Sequence, residues 1–328
     1  MKIPEKQSAK LGIDVAKKTF EAAIKYEGRY QQQSFANNKS GYRKLQKWLL
    51  KYGLLNQFDV CMEATGIHHL TLAINLHGYV KTVSVVNPRC TKAFADSQLR
   101  RSKSDTVDAK IIADFAEAMK PRAWEAPSEE ELEIKELARR QKSLTGIISA
   151  EKNRLHDARS KSVQKSIRRN IKQMEKEKER ILAELSKKAY AEPLLRNRLE
   201  LLVSIPGVGA ATALQLVAEL GNVEVYENAR DLAAFAGLTP RQRQSGTSLS
   251  SRGGICKVGS SRLRAMLYFP AMVAIRHNPI MIEFANRLRQ SGKTGKTIIV
   301  AVMRKLLHCI FGVLKNNQPF NPQITCPI

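Results

Sequence analysis

No apolar run in this chain approaches the ~18 residues that a membrane-spanning helix needs, and its first ten residues are polar and basic, without the apolar core of a secretory leader. The five cysteines, Cys61, Cys90, Cys256, Cys309 and Cys326, include no C-x-x-C pair. That spacing excludes a zinc ribbon and a disulfide framework, and it points to a reducing, cytoplasmic setting. Aromatic residues make up only 6% of the sequence, too few for a platform on which single-stranded bases would stack. The histidines form no catalytic motif, and His68 and His69, after Gly66, read as helix-start packing residues.

Acidic residues are scarce as well. With 30 Asp and Glu against 55 Lys and Arg, the net charge is +25 and the pI about 10.0. Charge of that size repels itself in the folded state unless a phosphate backbone neutralises it, so a nucleic acid is the expected partner and binding should be steeply salt-dependent. A ribosomal-type or membrane-surface protein would share the charge. The 43% hydrophobic content, however, supplies ample core for two or more domains in 328 residues.

Residues 1–127 alternate strand and helix signals. Leu11–Val15 and Phe20–Tyr26 read as a hairpin, Gln31–Ala36 as a third strand, and Gly41–Tyr52 as a helix with Tyr42, Leu45, Trp48 and Leu49 at helical spacing. A buried strand, Val60–Glu63, is followed by a helix over Ile67–His77 and a β-branched run, Lys81–Val86, that ends at Asn87-Pro88. A hairpin first and alternating elements later is the order of an RNase H-like α/β domain. Residues 128–199 turn charged and helical, with Leu132, Leu137, Leu144, Ile148 and Leu155 on one stripe and Ile167, Ile171, Met174, Ile181 and Leu185 on another. They predict a long helical hairpin or coiled coil. Residues 200–328 form a further helical unit, in which Ile205-Pro206-Gly207-Val208-Gly209 fits a helix-hairpin-helix turn whose Gly207 and Gly209 would offer backbone N–H groups to a phosphate. A plain packing turn fits the same residues.

Four acids stand out from this background. Asp14 lies in apolar Leu11-Gly12-Ile13-Asp14-Val15-Ala16, Glu63 ends Asp59-Val60-Cys61-Met62-Glu63, and Asp105 and Asp108 stand three apart in Ser104-Asp105-Thr106-Val107-Asp108-Ala109. Two carboxylates at strand ends and an i, i+3 pair on one helix face can converge on hard divalent cations, which prefer oxygen ligands. Asp105 and Asp108 alone also fit helix-start acids favoured by the macrodipole. Asp14 and Glu63, set in apolar strands, would be costly to bury without a cation.

Far downstream, Thr239-Pro240-Arg241-Gln242-Arg243-Gln244-Ser245-Gly246 leads into a polar, glycine-rich stretch with Arg252 and Lys257. Serine and glycine alone predict a flexible loop. Guanidinium groups change that reading, because Arg241, Arg243 and Arg252 can bind phosphate bidentately while a serine hydroxyl attacks phosphorus.

Taken in order, Gly12-Ile13-Asp14, Glu63-Ala64-Thr65-Gly66, Asp105-Thr106-Val107-Asp108-Ala109, Ile205-Pro206-Gly207-Val208-Gly209, Phe235-Ala236-Gly237-Leu238-Thr239-Pro240 and Ser245-Gly246 resemble the DEDD-type insertion-sequence transposases guided by a bridge RNA. The resemblance covers nearly the whole chain. It implies a RuvC-like N-terminal domain, a coiled coil and a C-terminal transposase domain. It further implies that Asp14, Glu63, Asp105 and Asp108 hold magnesium, ideally as two ions about 3.5–4 Å apart, and that Ser245 is the nucleophile. The implied partners are donor and target double-stranded DNA, a structured guide RNA, and further copies of the chain in a synaptic assembly. Two rivals remain open at this point, a hydrolytic RuvC-type junction nuclease and a noncatalytic DNA- or RNA-binding protein.

The helical region carries the clearest test of the charge argument. If Arg168, Arg169 and Lys172 contact phosphates, changing all three to Gln will weaken nucleic-acid binding and flatten its dependence on log salt by about one unit of slope per lost contact. Binding titrations across a salt series check this, and an unchanged slope would leave the three as a solvated face.

Overall fold

Residues 1–4, 7–64, 66–98, 105–245 and 249–323 are described by a computed structural model, with the backbone alone at 105–106, 242–245 and 249–253. The chain divides into two compact units, Met1–Pro127 and Ser128–Ile328.

In the first unit, β1 (Ala9–Val15), β2 (Thr19–Tyr26) and β3 (Arg29–Ala36) form an antiparallel meander. Strand β4 (Phe58–Glu63) then pairs parallel to β1, and β5 (Thr82–Val86) parallel to β4, giving a five-stranded mixed sheet in the order β3-β2-β1-β4-β5. This mixed sheet is compatible with an RNase H-like domain. Strand residues alternate between faces. Leu11, Ile13, Val60 and Met62 therefore share a core with Tyr42, Leu45 and Leu49 of α1 (Lys39–Leu49) and Leu72 and Leu76 of α2 (His68–Leu76). On the opposite face, Cys61 packs with Ile112, Phe115 and Ala116 of α4 (Asp105–Met119). Asn87-Pro88 ends β5 as expected and also begins a helix that the sequence reading omitted, α3 (Pro88–Ser97). The Asn87 side chain caps it by accepting from the Arg89 amide, with proline in the first turn.

Helix α4 lies unusually close to the sheet. A Cβ placed on Gly12 would come 2.2 Å from the carbonyl oxygen of Ala109 and 2.4 Å from the amide nitrogen of Ala113. Only glycine leaves room for the helix backbone there. Further along α4, buried Asp114 accepts from Lys25 of β2 at 2.7 Å and from the Tyr30 hydroxyl of β3, while Glu117 pairs with Lys25 at 2.6 Å. Burial works against the Lys25 charge, but hydrogen bonds donated to the two carboxylates outweigh it and hold the ammonium above its ordinary range.

The second unit is helical. Helix α5 (Glu129–Asp157) starts with a capping box in which Ser128 Oγ accepts from the Glu131 amide and Glu131 accepts from the Ser128 amide, both at 3.1 Å. Helix α6 (Lys161–Ala191) runs antiparallel to it, tied by Lys152–Glu175 at 2.8 Å and Lys188–Glu133 at 2.7 Å. The buried seam is Ile134, Ala138, Leu144 and Ile148 against Ile171, Ile181, Leu185 and Ala189. Leu132 and Leu137, expected on that seam, are only half-buried. The start of α5 also packs on α8 (Ala210–Leu220), which draws Ile134 and Ala138 inward. Ile134, Ala138, Leu185 and Ala189 thus join the core of α7 (Pro193–Val203), α8, α10 (Ser261–His277), α11 (Pro279–Gln290) and α12 (Gly295–Asn316). By length and composition α12 could cross a membrane, but Val302, Leu306, Leu307, Ile310 and Val313 are buried in this core.

Gly12→Ala is expected to destabilise the first unit by about 1–3 kcal/mol, because the added methyl must displace helix backbone. Gly146→Ala, in α5 with open space around it, should instead be neutral or stabilising by up to ~1 kcal/mol. Urea unfolding of the two variants measures the contrast.

Candidate active site

The backbone register sets the acidic residues. The parallel pairing of β1 and β4 runs from Ala9↔Phe58 to Ile13↔Met62, so Asp14 and Glu63 are the next step at the carboxyl ends of adjacent strands. Both belong to the face of Gly12 and Cys61, the one that α4 covers, and both are half-buried. Buried Thr91 of α3 donates its hydroxyl to Glu63 Oε1, with the Pro88 carbonyl 2.9 Å away as its alternative acceptor. Burial, together with the nearby Glu63 charge, pushes the Cys61 thiol up to about 12 and leaves it a neutral packing group.

Asp108 sits half-buried in the first turns of α4, immediately before the Ala109 that rests on Gly12. Asp105 opens the same helix, and its side chain lies outside the described residues. Among the described residues no cluster of three or more His, Cys, Asp or Glu side chains forms a metal site. The structure thus joins Asp14 and Glu63 by register and sets Asp108 on the helix packed beside them. An all-carboxylate set of this kind suits a hard divalent cation rather than zinc or copper. Sequence reasoning missed Thr91, since no spacing signal links it to Glu63 and its helix was not foreseen.

The serine segment is not the loop that its composition predicts. Pro240–Ser245 and Leu249–Ile255 pair as an antiparallel hairpin, β6 and β7, with Ser245 opposite Leu249, Arg243 opposite Ser251 and Gln242 opposite Arg252. Ser245 is therefore the last residue of β6. Gly246 and Ser248 lie outside the described residues, as do the side chains of Arg243, Ser245 and Arg252.

The hairpin stands on a tight root. The Cys256 amide donates to the Thr239 carbonyl at 2.8 Å, the Lys257 amide to the Gly237 carbonyl at 3.1 Å, and Arg264 Nη1 to the Ala236 carbonyl at 2.9 Å. At Gly259 (φ +133°) a Cβ would lie 2.1 Å from the Phe235 carbonyl oxygen, so the backbone crossing at the end of α9 (Ala229–Phe235) requires glycine. Arg241 and Lys257 are exposed. Gly207 packs on Ala274 of α10, which accounts for a glycine there without a ligand, whereas Gly209 begins α8 with open space in front of it. Arg168, Arg169 and Lys172 are exposed on α6, and among the described residues none of them forms an ion pair.

Two family models match the chain, and together they span both sets of residues. A DEDD-type IS110 model described as Transposase matches residues 11–159, and one described as Transposase IS116/IS110/IS902 family matches residues 199–286. The pilin gene-inverting proteins of Moraxella bovis and Moraxella lacunata are each 32% identical over 316 residues, 96% of this chain and 98% of theirs. This chain belongs to the DEDD-type IS110 transposase family. The transposase for insertion sequence element IS1111A of Coxiella burnetii is similar over a shorter stretch, 43% identical over 74 residues, 23% of this chain and 20% of that one. Family membership makes the protein a DNA transposase or recombinase, and DEDD domains of this kind generally use divalent metal ions.

In this transposase Thr91 holds one oxygen of Glu63. Groups that orient a ligand typically change metal affinity by about 10–100-fold when removed. Thr91→Val is accordingly expected to lower the affinity for Mn2+ by at least about tenfold, while Thr91→Ser restores it. Calorimetric titration of the two variants decides the point, and equal affinities would make Thr91 a packing residue alone.

Proposed function

We propose that the chain is an RNA-guided DNA recombinase that cuts and rejoins strands through a phosphoserine link at Ser245. The observation that carries this reading is the pairing of two carboxylates at the ends of β1 and β4 with an acid-bearing helix pressed onto the same face. The relatives that match over almost their full length are named for inverting a gene. Inversion requires that cut ends be rejoined, which favours an intermediate that conserves the phosphodiester energy over hydrolysis.

Asp14, Glu63, Asp105 and Asp108 would hold the cations, expected to be two magnesium ions, and their chemistry when bound is to polarise the scissile phosphate and stabilise the attacking and leaving oxygens. Arg241, Arg243 and Arg252 grip the phosphate and offset the charge that develops on it, while Lys257, at the root of the hairpin, holds a phosphate farther along the strand. The Ser245 hydroxyl gives up its proton and its oxygen bonds to phosphorus, while the bond from phosphorus to one deoxyribose oxygen breaks and that oxygen takes up a proton. An incoming DNA hydroxyl reverses these steps on a new strand, releasing the serine.

Phosphates elsewhere along the DNA and RNA are held by Arg168, Arg169 and Lys172 of α6 and by the turn at Gly207 and Gly209. A structured guide RNA pairs with donor and target DNA and supplies sequence choice, while the protein reads backbone shape. Several copies assemble in the synapse, so that the acids of one protomer serve the serine of another, at the nucleoid of a prokaryotic cytoplasm.

A suicide DNA substrate tests the nucleophile. The expected product is a protein–DNA adduct that survives denaturation and maps by mass spectrometry to the peptide containing Ser245, absent in Ser245→Ala and lost with Asp14→Asn. Undiminished cleavage in Ser245→Ala without any adduct would mean that water attacks and that the hydrolytic reading is correct.

A further inference from the structure

A cavity of about 670 Å³ lies between the root of the β6–β7 hairpin and the first half of α12, closed on one side by α11. Its volume is that of a small-molecule site. Leu238, Ile255, Phe284 and Val300 give it an apolar floor, and Lys257, Lys296 and Arg304 line it with positive charge. Among the described residues none of these three cations has a carboxylate partner. The Nε of Arg304 and the Nε2 of His308, two side chains that line the cavity, are buried without a hydrogen-bond partner among the described residues, a costly state. Burial, together with the nearby Arg304, Lys305 and Arg230 charges, depresses the His308 pKa to about 4.

We propose that this cavity receives one unpaired DNA nucleotide, with the base on the apolar floor and its phosphate on Lys257, Lys296 and Arg304. An apolar floor beside three cations that lack carboxylate partners among the described residues suits a flat base joined to a phosphate better than an acidic peptide or an aliphatic ligand. Pro240 and Gly254, at the foot of the hairpin, also line the cavity. Ser245 stands five residues along β6 from Pro240, about 17 Å at 3.3–3.4 Å per residue. A strand lying along the hairpin would thus present to the cavity a nucleotide about five base steps from a phosphate lying at the Ser245 end, at 3.4 Å per step. The proposal rests on the reading of the chain as a DNA recombinase and does not depend on Ser245 being the nucleophile.

Binding of the full chain to three duplexes tests it: one with a single bulged thymidine, one with an abasic residue at the bulge, and one fully paired. The wild type is expected to prefer the bulged thymidine over the abasic bulge by about tenfold, the worth of one base contact. Ala301→Trp fills the cavity and should erase that preference while leaving affinity for the paired duplex within about twofold. Thr297→Trp covers the mouth from an exposed position and gives the same result if the Ala301 variant does not fold. Arg304→Gln should weaken binding to both bulged duplexes and lower the salt slope. Equal wild-type affinity for thymidine and abasic bulges, a preference that survives both tryptophan variants, or a preference shown only by the corresponding RNA duplex would overturn the proposal. The readout is equilibrium binding, so its failure and a failure of the phosphoserine reading are separable.

Discussion

Helix α4 rests its backbone directly on β1 at Gly12, and the geometry of the acidic residues depends on that contact. A side chain at Gly12 would hold the helix off by the thickness of a methyl group and carry Asp108, next to the contacting Ala109, away from the strand ends. The same face then holds Asp14 and Glu63 by parallel register. The Lys25, Asp114, Glu117 and Tyr30 network, farther along the helix, fixes its direction over the sheet. Two separate attachments, one steric and one electrostatic, leave α4 little freedom to slide or tilt. Thr91 adds a third restraint by holding Glu63 from the side.

The second unit follows a related logic. Its serine stands at the end of a strand, and that strand is rooted where Gly259 meets the end of α9 and Arg264 ties down the Ala236 carbonyl. The Phe235-Ala236-Gly237-Leu238-Thr239-Pro240 motif thus has a mechanical meaning as the footing of the hairpin. Core formation here is shared by the helical hairpin and the C-terminal helices, so α5 and α6 are anchored at one end in the body that carries Ser245. Their exposed cations extend from it.

Much of the first unit was legible in the sequence because its signals are local. Alternation marked β1 to β3, helical spacing marked α1, and the β-branched run marked β5, each within a few residues of the observed bounds. The strand-end acids could be singled out because charge in an apolar strand needs a reason. What was not legible depends on contacts distant in sequence. Thr91 meets Glu63 across 28 positions, and the seam of α5 moved to Ile134 and Ala138 because α8 packs there. The β6–β7 hairpin hid behind serine, glycine and arginine, whose composition is that of a loop. Ladder pairing and a fixed root override that preference.

The claim on which the functional account turns is that Asp14, Glu63, Asp105 and Asp108 converge on one cation site. Cleavage of the protein backbone by bound Fe2+, driven by ascorbate and peroxide and mapped by mass spectrometry, reads that convergence without any DNA reaction. The account predicts cuts confined to three segments that are remote in sequence, around Asp14, around Glu63 and across Asp105 to Asp108, all suppressed together by excess Mg2+. Cuts scattered over the chain, or confined to one of the three segments alone, would contradict it.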